Sequence, residues 1–322
     1  MSAVKPRILV IRGGAIGDFI LTLPAITALR RQFPQAHLEV LGYPHIAGLA
    51  VAGGLVDRVQ PIEARGLAGF FARDGILEPD LRDYFSEFDL VVSYLYDPDE
   101  IFQTNVRLCL FGQYIAGPHR PDETEPIHAT QVYLKPLERL AIFDADPVPR
   151  LTLKQIADAG RAYPALRDPD AQRRVPTIAL HPGSSSEKKN WPESKWAEFI
   201  AWLAASTKLG LLFVGGEAEG GRLQGLAEAV PRERRKIAQG LPLPELAQQL
   251  QSCTAFVGHD SGISHLAAAL GLPSLLLWGN TLDEIWRPQG NRVAVLREVT
   301  GIGAIRVRMV IDELQKLVVE LV

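Results

Sequence analysis

Three short stretches of this sequence gather residue types that handle protons and anions. The first is RGGAIGDF, residues 12–19, between the apolar run RILVI and the helix-like ILTLPAITALRRQFP. A glycine turn between a strand and a helix is a ready phosphate site, because the helix start offers free N–H groups. Here an acid, Asp18, stands at that position. The helix dipole stabilises its charge, and that charge repels a bound pyrophosphate. Asp is a common helix N-cap. A carboxylate held on a rigid turn by backbone N–H groups is also placed to take a proton from a substrate hydroxyl, and the two roles are compatible. A dinucleotide fingerprint, G-x-G-x-x-G with an acid closing the second strand, is not met. Arg12 replaces its first glycine, Gly14 and Gly17 remain, and Glu39 sits inside HLEV rather than at its end. Nicotinamide chemistry is disfavoured accordingly.

The second stretch is HPGSSSEKKNWP, residues 181–192. Ser184, Ser185 and Ser186 offer hydroxyls, Gly183 permits close backbone approach, and Lys188 and Lys189 offer cationic donors. Such a loop is an anion cradle, although a solvated polar loop has the same composition and the P-loop pattern is absent. The third is GHDSGISHLAAALGLP, residues 258–273. Asp260, Ser261 and Gly262 fall between a strand and a helix, so the N–H groups of residues 261–263 are free for an anion. Asp260 can accept hydrogen bonds from sugar hydroxyls; capping is the ordinary role for Asp260 and Ser261, and packing the ordinary role for His265.

Other chemistries find no support in the sequence. Asp-x-Asp occurs at residues 97–99, 144–146 and 168–170, each time in a polar loop, and no metal is assigned. Neither HExxH nor a Cys/His cluster nor GxSxG is present. Cys109 and Cys253, the two cysteines, are far apart, which fits a reducing compartment. A net charge of −3 gives no reason to expect nucleic acid. The opening residues lack a signal-peptide pattern. Residues 262–279 are apolar but interrupted by His265 and by Gly271-Leu272-Pro273, so a helix, a turn and a strand are expected there and not a transmembrane segment.

The elements that must carry these stretches alternate strand and helix. In the first half RILVI, HLEVLGY, VDRVQPI and FDLVVSYL read as strands, and LTLPAITALRRQFP as a helix with a basic last turn. Residues 63–82 are read as a helix with a mobile loop, and residues 97–128 lack periodicity. In the second half PTIAL, LGLLFV, TAFVGH and PSLLLW read as strands. WPESKWAEFIAWLAAS, GGRLQGLAEAV, LPELAQQLQSC, SGISHLAAALG and IRVRMVIDELQKLVVELV read as helices. At 322 residues the chain suits two α/β domains, each a doubly wound parallel sheet, with a polar, proline-broken linker over residues 161–175.

The combination of RGGAIGDFILTLPAITALRRQFP, HPGSSSEKKNWP, LLFVGGEAE and GHDSGISHLAAALGLPSLLLWGNT followed by WRP resembles glycosyltransferase family 9, the ADP-heptose:lipopolysaccharide heptosyltransferases. The resemblance spans both halves in family order. It implies a GT-B fold, with two Rossmann-like domains facing across a cleft. Residues 1–165 would form the acceptor domain and residues 175–322 the nucleotide-sugar domain, the last helix packing back on the first. It implies inverting, metal-independent transfer of a heptose from ADP-heptose to a lipopolysaccharide inner-core acceptor, with no cofactor beyond the donor. Asp18 would be the base. Ser184, Ser185, Lys189, Glu217, Asp260, Ser261, Gly262 and His265 would bind the donor. Arg12, Arg65 and Arg120, with Arg58 and Arg73 nearby in sequence, would supply a basic patch for an anionic glycolipid. The enzyme would be cytoplasmic, working at the inner face of the inner membrane. The acids of DPDE and PDETEP in the same half, and His259 and Asn280, depart from the family expectation. They leave room for a non-lipopolysaccharide acceptor or for another GT-B enzyme such as a nucleotide-sugar epimerase.

Overall fold

The computed structural model describes residues 5–153, 175–184, 186–216 and 220–318. The chain divides into two compact units, Met1–Pro149 with Glu284–Trp286, and Arg150–Asp283 with Arg287–Val322.

The first unit runs β1 (Arg7–Arg12), α1 (Ile16–Gln32), β2 (His37–Gly42), α2 (Pro44–Ala52), β3 (Arg58–Pro61), α3 (Pro79–Ser86), β4 (Leu90–Ser93), α4 (Ile101–Arg107), β5 (Gln113–Ala116) and α5 (Ala129–Leu134), with a 3-10 turn at Arg65–Phe71. Its five strands are parallel in the order β3-β2-β1-β4-β5. The second unit carries β6 (Thr177–Leu180), α6 (Glu193–Ser206), β7 (Gly210–Gly215), α7 (Gly220–Ala227), β8 (Arg235–Gln239), α8 (Leu243–Gln251), β9 (Ala255–His259), α9 (Gly262–Ala269) and β10 (Ser274–Trp278). Then follow α10 (Asp283–Trp286), which ends in the first unit, and β11 (Val293–Arg297) and α11 (Val307–Leu317) in the second. Its six strands are parallel in the order β11-β10-β9-β6-β7-β8.

These orders locate the sites before any side chain is considered. In a doubly wound sheet, ligands bind beyond the carboxyl ends of the two strands where the winding reverses. In the first sheet the reversal lies between β1 and β4, at Arg12 and Tyr94. In the second it lies between β6 and β9, at His181 and His259. The central strands β1, β4, β6, β9 and β10 are almost wholly buried. Helices on both faces of a parallel sheet require this, and it makes such strands readable as unbroken apolar runs.

Of the last helix, expected to pack back on the first domain, Val307, Val310, Ile311 and Leu314 form a stripe in the second unit's own core, against α6 and β10. Each such side chain contributes about 1.5–3 kcal/mol by burial. Residues 150–153, placed by sequence in the first domain, begin the second unit, and the Leu151 N–H donates to the Ala269 carbonyl at 2.8 Å. The linker expected at residues 161–175 falls, save for Val175, outside the described residues. Within residues 97–128, read as aperiodic, lie α4 and β5.

Candidate active site

The first unit's site is built around Arg12, the last residue of β1. Its side chain is buried, and no carboxylate lies within hydrogen-bond distance of it, that of Asp18 standing 3.7 Å from Nη2. Backbone carbonyls take its charge instead: Nη1 donates to Tyr94 O at 3.2 Å and His119 O at 2.9 Å, and Nη2 donates to Asp18 O at 3.3 Å. Its guanidinium lies 4.6 Å from the centre of the Tyr133 ring, a cation–π placement. Tyr133 is fixed in turn, its hydroxyl donating to His119 O at 3.3 Å while its carbonyl accepts from the Tyr94 hydroxyl at 2.7 Å. Burial pushes both tyrosines' pKa values up, so these hydroxyls stay protonated donors.

Asp18 rests on this frame. It occupies the third position of α1, and Ala15 is the N-cap, so the capping role expected of Asp18 is not the one it fills. Its carboxylate instead reaches back to accept the Ala15 N–H at 3.0 Å, the arrangement of a capping-box acid. The other oxygen lies 3.7 Å from Arg12 Nη2, and the side chain retains 29% exposure. The turn needs glycine at position 14: φ is +99°, and a Cβ there would lie 2.9 Å from Asp18 Oδ2. One carboxylate is therefore aimed by two cationic or dipolar donors and left open on one side, the geometry of a general base. His119 stands close by with its pKa lowered by burial and by Arg120 and Arg12, against the opposing pull of Asp18.

Of the three arginines assigned to an acceptor, Arg12 is turned inward. Its contacts make it a support for Asp18, and direct ligand contact does not fit its burial. Arg65 is exposed and opens the half-buried 3-10 turn, which is held by buried Asn105, whose amide donates to the Phe70 and Ala72 carbonyls at 3.0 and 2.9 Å. Arg120 is 60% exposed, pairs with Glu123 at 3.4 Å, and lies over the Trp286 ring at 5.2 Å.

In the second unit the switch point collects the other two stretches. Lys189, in a short 3-10 turn, places Nζ 2.5 Å from Asp260 Oδ2. Ser261 caps α9, its hydroxyl accepting the Ser264 N–H at 3.3 Å and lying 3.2 Å from His181 Nδ1. Gly262 opens α9 and His265 is buried in its first turn. Ser184 is turned into its own loop, with its hydroxyl 2.7 Å from Asn190 Oδ1 and 2.8 Å from the Ser186 carbonyl. Ser185 and Glu217 lie outside the described residues. Lys189, Asp260, Ser261, Gly262 and Ser184 are thus gathered around the ends of β6 and β9: an ammonium, a helix start and hydroxyls, which together suit a diphosphate.

Sequence reasoning missed the residues behind these. His181 and His259 close β6 and β9 and are buried, which holds their pKa values down to about 4 and about 3. Their signal was available: a histidine ending a central apolar run, in IALHPG and FVGHD, sits at the crevice by topology. Tyr94, Tyr133 and Asn105 left no such signal, since the partners they bind are backbone carbonyls distant in sequence.

The family described as glycosyltransferase family 9 (heptosyltransferase) matches residues 145–308. Lipopolysaccharide heptosyltransferase 1 of Pseudomonas aeruginosa is 26% identical over 291 residues, covering 85% of this chain and 79% of that protein. The solved structure of a family 9 glycosyl transferase from Veillonella parvula superposes with a TM-score of 0.76 at 19% identity, covering 99% of each chain. That of the ADP-heptose lipopolysaccharide heptosyltransferase II of Escherichia coli gives 0.75 at 19% identity, covering 98% of this chain and 99% of that one. The shared fold is GT-B, two Rossmann-like units, as expected from the sequence.

Proposed function

Because the chain belongs to glycosyltransferase family 9, the heptosyltransferase family of lipopolysaccharide core synthesis, we propose that it transfers a heptose, with inversion, from ADP-heptose to an anionic inner-core glycolipid. The observation that carries this reading is the Asp18 carboxylate, aimed by Arg12 and the Ala15 N–H at the first unit's switch point and open on one side. Asp18 takes the proton of the acceptor hydroxyl as that oxygen attacks the anomeric carbon, and the bond to the diphosphate breaks. Lys189, Ser184, Ser185 and the start of α9 at Ser261 and Gly262 neutralise the departing charge, an electrostatic task that needs no metal. Asp260 holds Lys189 and offers an acceptor to sugar hydroxyls; Glu217 and His265 complete the donor side. Arg65 and Arg120, exposed on the first unit, meet the acceptor's anionic groups. No helix among the described residues is long and apolar enough to cross a membrane, and we place the enzyme in the cytoplasm, meeting its glycolipid at the inner face of the inner membrane.

The test is ADP release from ADP-heptose, with and without heptose-deficient lipopolysaccharide, for the native protein and Asp18→Asn. Release that requires acceptor, survives EDTA and falls at least about a hundredfold in the variant is expected, the scale of general-base catalysis. Release without acceptor would instead indicate an epimerase- or hydrolase-like reaction, and near-native transfer by the variant would remove the base.

A further inference from the structure

The imidazole of His259 lies where no side chain of the proposed reaction needs it, fully buried at the end of β9. Its Nε2 faces two donors, the Trp191 N–H at 3.0 Å and the Trp196 indole N–H at 3.2 Å. A ring nitrogen that faces two N–H groups must carry a lone pair, so the proton sits on Nδ1. That nitrogen lies 3.4 Å from the Gly183 carbonyl. One ring therefore ties both ends of the loop that carries Ser184 and Lys189: its beginning at Gly183 and its end at Trp191. The same residue's carbonyl accepts the Ser264 hydroxyl from α9, and the next residue is Asp260, the partner of Lys189. The Trp191 indole is itself fixed, donating to the Ile305 carbonyl at 2.9 Å.

We propose that His259, as the Nδ1–H tautomer, is the positioning residue of the nucleotide-diphosphate grip: it ties Gly183 and Trp191 to the end of β9 and so sets Lys189 opposite Asp260. The inference rests on the reading of this loop as the donor-phosphate site. Neutrality is built into the arrangement, since a second proton would point an N–H at two N–H donors. The groups around the ring reinforce this: burial, His181 and Arg222 all disfavour its cation, and only the Gly183 carbonyl favours it.

Side-chain geometry supplies a graded test. In His259→Gln the amide oxygen can stand in for Nε2 and accept from Trp191 and Trp196. In His259→Asn the amide reaches only the Nδ1 position, and His259→Leu offers neither. ADP affinity is measured by calorimetry for these variants, for Lys189→Ala, and for Lys189→Ala combined with His259→Leu. His259→Gln should stay within about threefold of native, while the Asn and Leu variants should weaken ADP roughly tenfold or more, as expected when a buried N–H loses its acceptor. The Leu substitution should cost little further once Lys189 is gone, because both changes act on one grip. Native-like affinity in His259→Leu, or full additivity with Lys189→Ala, overturns the proposal. Unchanged affinity in Lys189→Ala takes down the donor-site reading and this inference with it. Should the Leu and Asn variants fail to fold, long-range proton–nitrogen spectra of the native protein decide: Nδ1–H supports the proposal and Nε2–H refutes it.

Discussion

Acidification from about pH 7.5 to about pH 5.5 should destabilise the second unit by an amount that two residues set. His181 and His259 are held neutral when folded, with pKa values near 4 and 3 against the ordinary 6.5. Unfolded, each takes up a proton below 6.5, so stability is complete above that value and falls steadily as pH drops toward the folded values. One pH unit below 6.5, each histidine contributes a loss of about 1.4 kcal/mol, and the pair about 2.7 kcal/mol. That is a large share of the roughly 5–15 kcal/mol that holds a domain together. Carboxylates titrate mostly below this window. Urea unfolding at the two pH values reads the effect. Tryptophan fluorescence reports chiefly on the second unit, which holds Trp191, Trp196, Trp202 and Trp278. With a urea slope of about 2 kcal/mol/M, the native midpoint should fall by roughly 1.3 M, and that of His259→Gln by roughly half as much. A native shift under about 0.3 M, or equal shifts in the two proteins, would refute the reasoning.

Two further substitutions probe the first unit. Arg12→Met keeps volume but leaves three carbonyls without their shared donor; turnover should fall about tenfold or more with little change in donor KM, and urea unfolding should show a loss of about 2–4 kcal/mol. Gly14→Ala places a methyl against the Asp18 carboxylate at a backbone angle that L residues avoid. A cost of about 1–3 kcal/mol is expected in urea unfolding, with turnover reduced because the Asp18 carboxylate must shift.

How much of this was legible in the sequence follows from where each element lies in its sheet. β1, β4, β6, β7, β9 and β10 lie inside their sheets, buried on both faces, and stand out as apolar runs. β5, β8 and β11 are sheet edges: β8 reads RKIAQ, with only one residue fully buried, and β5 is four residues long. An edge strand need not be apolar on both faces; β5 and β8 left no long apolar run to find, and VAVL of β11 is a short one, none of it fully buried. The chemistry-bearing turns were legible because strand-turn-helix punctuation exposes them: Asp18, Lys189, Asp260 and Ser261 all stand at such junctions. Direction was not legible. Arg12 reads as a surface cation and lies buried, Ser184 reads as an offered hydroxyl and faces Asn190, and the amphipathic stripe of α11 gives no hint of which unit it covers. The burial of Arg12 and the placing of α11 depend on contacts between residues about eighty or more positions apart, such as Arg12 with Tyr94, which no local pattern encodes.

Arg12 grips main chain, not side chains, at residues 94 and 119. The identity of the amino acid at position 119 is therefore free to drift while the path of its peptide plane is not; Tyr94 is held besides by its buried hydroxyl on the Tyr133 carbonyl. A descendant could rewrite the letters around His119 without disturbing the support of the Asp18 carboxylate, provided it added or deleted no residue there. The same stretch of chain thereby tolerates substitution and polices length.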